Sequence, residues 1–167
     1  MGKEGVQTLT FEKYRKAQAD KTVFELSQLK KRLINGSSFE QRENPLEGAK
    51  ENLRFMTGIL PIFNGYFKLT GRRFDLGHPS ISPVGGTAIF YDPELDSLAY
   101  AFAPGRKPAV LSDDILNRLY NAGINQTAAE TFGRLSRVQL VDEVIFAIKH
   151  PVLKSAKDSL QRAARII

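Results

Sequence analysis

The sequence predicts an α+β protein: a long N-terminal helix, a small central antiparallel β region with hairpins, and C-terminal helices. Three observations carry that expectation. Apolar residues recur at helical spacing at both ends of the chain, while the middle holds β-prone runs broken by Gly and Pro. A composition of 42% hydrophobic and 25% charged residues over 167 positions is that of one ordinary globular domain and excludes a disordered chain. We expect a flexible N-terminus over residues 1–10 and a single domain with helical extensions over residues 11–167.

The first helix is expected over residues 11–34, with Thr10 as its cap and Asn35-Gly36 tolerating the left-handed backbone at its C-terminus. Phe11, Tyr14, Ala17, Phe24, Leu29 and Leu33 form its apolar stripe. Asn44-Pro45-Leu46-Glu47 combines a cap residue, Pro at the first helical position and Glu after it, a strong start for a second helix. Leu46, Ala49, Leu53 and Met56 continue it, and Gly58 and Pro61 predict an end near Thr57. Asn64-Gly65 between two apolar runs then predicts a hairpin with Pro61 on an edge strand, the competing reading being a kinked helix through the same stretch.

The clearest strands are residues 87–91 and 97–102, joined by Asp92-Pro93-Glu94-Leu95-Asp96. In the second strand Leu98, Tyr100 and Phe102 alternate with alanines, giving one bulky and one flat face. The β region should end at Pro104-Gly105-Arg106-Lys107-Pro108. Ser112 is expected to cap a helix that stops at Gly123. Thr127-Ala128-Ala129-Glu130 reads as a capping box for one helix that carries Phe132, Leu135, Val138, Val141, Ile145 and Ile148 and breaks at His150-Pro151. Leu153, Ala156, Leu160, Ala163 and Ile167 predict one further amphipathic helix.

Charge is concentrated at the ends. Residues 11–34 hold seven Lys or Arg against three acidic residues, and residues 149–167 hold five against one, a surplus of +4 in each; the whole chain carries +6. Any surface that attracts anions should therefore be built from the ends. The residues expected to touch nucleic acid or a partner are Lys30, Lys31, Arg32, Arg72, Arg73, Lys154, Lys157, Arg162 and Arg165.

The chemical inventory is thin. There is no cysteine, and His78 and His150 are the only histidines, so a disulfide framework and a conventional Cys or multi-His zinc site are excluded. Asp92, Glu94 and Asp96 lack the Gly and distal Glu of a calcium-binding loop and read as a charged turn. Gly85-Gly86-Thr87 precedes a strand, whereas a phosphate-cradling loop follows one. Asp75 and His78 could pair as a general base, yet no further catalytic partner can be placed beside them. Tyr66, Phe67, Phe74, Tyr91, Tyr100 and Phe102 could stack bases beside Lys68, Arg72 and Arg73, but their alternation assigns most of them to the core. We expect no enzyme activity, no cofactor and no metal. The N-terminal residues have no apolar signal segment and no stretch suits a membrane span, so an intracellular protein without a membrane partner is expected.

The string Phe74-Asp75-Leu76-Gly77-His78, in a short β region flanked by long polar helices and a basic C-terminal helix, resembles the head-to-tail connector (neck) proteins of tailed bacteriophage virions. That resemblance implies a non-enzymatic subunit of a ring, located in the virion, whose helices meet neighbouring copies. Taken with the long first helix, it predicts a homo-oligomer that binds other assembly proteins. The alternative is a nucleic-acid-binding module using the basic N- and C-terminal helices.

Overall fold

The computed structural model describes residues 3–36, 44–75, 88–101, 107–123 and 126–150. The chain is α+β. Its elements are α1 (Lys3–Gly36), α2 (Pro45–Thr70), β1 (Phe74–Asp75), β2 (Ala88–Asp92), β3 (Ser97–Ala101), β4 (Ala109–Val110), α3 (Asp113–Asn121), α4 (Gln126–Arg134) and α5 (Arg137–Lys149). The amphipathic segment expected beyond His150, the Gly85-Gly86-Thr87 turn and Phe102 lie outside the described residues.

α1 starts at Lys3, so Thr10 lies inside the helix and does not cap it, and residues 4–10, expected in a flexible N-terminus, are helical. α1 is helical through Gly36, the last described residue before residue 44. The buried side differs from the expected stripe. Thr22 and Leu26 are buried, with Ala19, Val23, Leu29 and Leu33 packed beside them, whereas Phe11, Tyr14 and Phe24 are exposed. The spacing 19, 22/23, 26, 29, 33 keeps one face toward the body, and Phe24 falls on the far side of it.

α2 starts as its sequence dictates. The Asn44 side chain accepts from the backbone N–H groups of Leu46 (3.0 Å) and Glu47 (3.4 Å), and Pro45 occupies the first turn. The end expected near Thr57 and the hairpin at Asn64-Gly65 are not formed; the helix continues to Thr70, as the competing reading had it. Ala49, Asn52, Met56, Ile59, Leu60, Phe63, Tyr66 and Phe67 form an unbroken buried stripe that outweighs the breakers. Pro61, Gly58 and Gly65 all sit on the solvent side, and so does Thr57, the residue whose carbonyl Pro61 cannot donate to. The stop is Gly71, at φ 66°: its N–H donates to Lys68 O and that of Arg72 to Phe67 O, the paired bonds of a Schellman cap.

Four antiparallel strands lie in the order β1-β2-β3-β4. β2 and β3 pair from Asp92↔Ser97 to Ala88↔Ala101, as expected from their sequence. β4 follows Pro108 and pairs with β3, so the sheet extends past the point where the sequence ends it. One face presents Phe74, Ile89, Tyr91, Leu98 and Tyr100 to α2. There Phe63, Phe67, Phe74 and Tyr91 pack with ring centroids 4.6–6.0 Å apart, Phe63 meeting the other three edge to face. The other face is the flat one, with Phe90, Ala99 and Ala101 buried in a small separate cluster.

α3 is capped by Ser112, whose hydroxyl accepts from Ile115 N–H at 3.2 Å. The single helix expected over residues 127–148 is two. α4 includes Thr127 within its first turn, and a new start occurs at Ser136, where Ser136 and Gln139 exchange side-chain to backbone bonds of 3.1 and 2.8 Å in a capping box. α2 is the centre of the molecule: α4, α1, α3 and α5 pack around it, and the sheet covers its aromatic side. α4 comes closest, because Gly133 rests on the Pro45 carbonyl and lies where a Cβ would be 2.9 Å from Ala49 N.

Candidate functional site

α1 is 34 residues long, about 51 Å at 1.5 Å per residue, and the residues that seat it on the body, Thr22 and Leu26 with Ala19, Val23, Leu29 and Leu33, lie from its middle onward. Residues 10–17 are exposed all round. Phe11, Tyr14 and Phe24 are 50, 53 and 63% exposed, unusual for large apolar rings. The seated half is braced by Lys30, whose ammonium meets Asp142 of α5 at 2.7 Å.

Two surfaces result. The first is a groove between the exposed part of α1 and the end of α5, enclosing a volume of about 360 Å³. Ala19, Val23, Tyr66 and Ile148 give it an apolar floor, and Glu12, Asp20, Arg15, Lys16 and Lys149 give it a rim of mixed charge. The second is the outward side of α1. Tyr14, Ala17, Lys21, Phe24, Gln28 and Lys31 recur there at alternating three- and four-residue steps, one line along a helix. Lys13 and Arg32 flank the line, as do Asp20 and Glu25.

The expected contact residues are distributed unevenly over these surfaces. Lys31 and Arg32 are exposed on α1, while Lys30 is engaged by Asp142. Arg73 lays its guanidinium over the Phe90 ring, 3.8 Å from the centroid, and covers the flat face of the sheet. Arg72 is half-buried and contributes its N–H to the end of α2. Because Tyr66 shares the groove with residues 12–23 of α1, the two helices run antiparallel, and Arg72 and Arg73 sit toward the opposite end of the molecule from Lys31 and Arg32. Lys154, Lys157, Arg162 and Arg165 lie outside the described residues, as does His78.

Tyr66, Phe67, Phe74, Tyr91 and Tyr100 are buried, in agreement with the core role their alternation assigned. Their place as exposed rings is taken by Tyr14 and Phe24, which the sequence had put in the apolar stripe of the first helix. The basic cluster likewise includes Lys13 and Lys21 beside Lys31, because all three share the outward side.

The most connected polar group is Asp96, at the end of the β2–β3 turn. Tyr91 Oη donates to it at 2.9 Å, Asn64 Nδ2 at 3.3 Å, and Lys68 Nζ pairs with it at 2.8 Å. These donors, Lys68 first, hold the Asp96 carboxyl below the usual carboxylate range against the opposing effect of partial burial. Burial, together with the hydrogen bond to Asp96 and its charge, pushes the Tyr91 phenol well above its ordinary value. Asp92 closes the turn by accepting from Glu94 N–H at 2.8 Å. Every one of these groups is satisfied within the fold, so the cluster fastens the hairpin to α2 and offers no vacant chemistry.

Among the described residues no three His, Asp or Glu side chains gather as metal ligands, and no helix is long and apolar enough to cross a membrane. Comparison of the chain with protein-family models, with curated proteins and with solved structures finds no match.

Proposed function

We propose that this protein is a non-enzymatic assembly subunit that self-associates through the exposed part of α1 and the groove beside it. The observation that carries the reading is the mismatch between helix and body: residues 10–17 stand exposed next to an apolar-floored groove. An isolated stretch of that length is marginal in water, and a packed neighbour would stabilise it. The rim of the groove holds both signs of charge, which suits an isologous contact where each copy offers what the other lacks. The virion-connector form of this reading, a ring subunit joining neighbouring protein rings, is supported by the Phe74–His78 string and by two long helices beside a small sheet.

Light scattering after size exclusion, at low and high salt and after nuclease treatment, tests it. The expected result is a discrete multimer of the 18.6 kDa chain that Phe11→Asp converts to monomer. A monomeric wild type at micromolar concentration, or a multimer indifferent to Phe11→Asp and Lys149→Glu, would remove the reading.

A further inference from the structure

The outward side of α1 spends little on the fold: Tyr14 Oη accepts from Gln18 Nε2 at 3.1 Å, one turn along the same helix. Tyr14 and Phe24 expose more than half of each ring, and none of the ion pairs found among the described residues engages Lys13, Lys21, Lys31 or Arg32. A face turned to solvent for solubility alone needs charges; it gains nothing from two large rings placed between them. The rings and cations alternate along the helix: Lys13 and Tyr14, then Lys21, Phe24 and Lys31, over about 26 Å at 1.5 Å per residue. The central line from Tyr14 to Lys31 contains no acidic residue.

From this we infer that the outward face of α1 binds single-stranded nucleic acid, with Tyr14 and Phe24 stacking on unpaired bases and Lys13, Lys21, Lys31 and Arg32 neutralising phosphates. Charge complementarity selects the occupant. A second copy would bring the same cations against this line and be repelled, whereas a polyanion gains by releasing its counterions. Exposed rings have no stacking partner on a duplex, where bases are already stacked, but they match the exposed π-faces of a single strand. The flanking Asp20 and Glu25 weaken the field without entering the line. This face points away from the groove proposed for self-association and shares only Lys13 and Tyr14 with the exposed stretch of α1 in that proposal; Lys21, Phe24, Lys31 and Arg32 lie outside it, so the inference does not depend on that reading.

The test is fluorescence anisotropy of a labelled oligodeoxythymidine of roughly 15 nucleotides, within the site sizes single-strand binders occupy, titrated with the full chain at several salt concentrations. Binding is expected to weaken log-linearly with salt. Phe24→Ala and Tyr14→Ala should each weaken it about tenfold, and Lys21→Glu with Lys31→Glu should also flatten the salt dependence. Glu25→Lys should tighten it, a gain that misfolding cannot imitate. All five positions are exposed, so circular dichroism should remain that of the wild type. Absence of binding at low salt, equal affinity for duplex and single strand, ring variants that bind as wild type, or equal competition by polyglutamate would each overturn the inference. The last result would assign the face to an acidic protein.

Discussion

Asn52 Nδ2, fully buried on α2, donates to the backbone carbonyl of Leu135 at 2.9 Å, and the same amide donates to that of Phe132 at 2.7 Å. These carbonyls belong to the last turn of α4 and the residue after it, where no helical N–H is available. One side chain from a neighbouring helix thus satisfies the break between α4 and α5.

Removing that donor should be costly. Asn52→Asp replaces two N–H groups by a carboxylate facing two carbonyls, and a loss of about 3 kcal/mol is expected, with Asn52→Ala somewhat milder. Urea unfolding followed by circular dichroism measures it. A midpoint within error of the wild type for Asn52→Asp would show that the break is held by other means.

The glycines divide sharply. A Cβ at Gly133 would overlap the Pro45 carbonyl and force α4 off α2, so Gly133→Ala is expected to cost about 2 kcal/mol or more. Gly58 and Gly65 lie on the exposed side of α2 with nothing near the position of a Cβ, and Ala at either should stabilise by about 0.5–1 kcal/mol. Thermal melts of the three variants should give shifts of opposite sign.

The lowered pKa of Asp96 fixes a pH dependence. A carboxyl held below its unfolded value of about 3.9 contributes its full stabilisation above that pH and loses it as pH falls toward the folded value. The stability gap between wild type and Asp96→Asn, about 1 kcal/mol for a part-exposed pair, should be constant near neutrality and close below about pH 4. At the alkaline end, Tyr91→Phe should remove a phenol that stays protonated well above about pH 10 in the native state, read by absorbance titration. A gap that persists in strong acid would detach Asp96 from its partners.

Lys30→Met should be nearly silent. The Lys30–Asp142 pair is about one-third exposed on both sides, so its loss is expected to cost under about 1 kcal/mol and to diminish with salt. The same substitution at Lys31 should leave stability unchanged and weaken oligonucleotide binding, which separates a brace from a contact residue one position apart.

What the sequence conveyed and what it withheld have a common cause. The caps at Asn44 and Ser112 and the β2–β3 turn were legible because each is decided within four or five residues. α2 was misjudged because Gly58, Pro61 and Asn64-Gly65 are local breakers, whereas the stripe from Ala49 to Phe67 acts over the whole helix and places Gly58, Pro61 and Gly65 outward. Asn64 is instead a tertiary ligand of Asp96, a role no local pattern announces. The cluster Lys30, Lys31 and Arg32 was visible as charge, but its division between an interhelical brace and a solvent-facing pair depends on where α5 lies. Tyr14 and Phe24 were counted in the apolar stripe because a loose stripe on a weakly amphipathic helix can be drawn on either side; Leu26 is what fixes the buried one.

The buried amide at Asn52 has a reach beyond its own bonds. By holding the end of α4 it determines the angle at which α5 departs from Ser136, and α5 carries both Asp142 to Lys30 and Ile148 and Lys149 to the wall of the groove. The wall of that opening is therefore tied, through the length of α5, to a bond at the other end of that helix. A change in the core that leaves every groove residue in place would still reshape the surface on which a second subunit is proposed to sit.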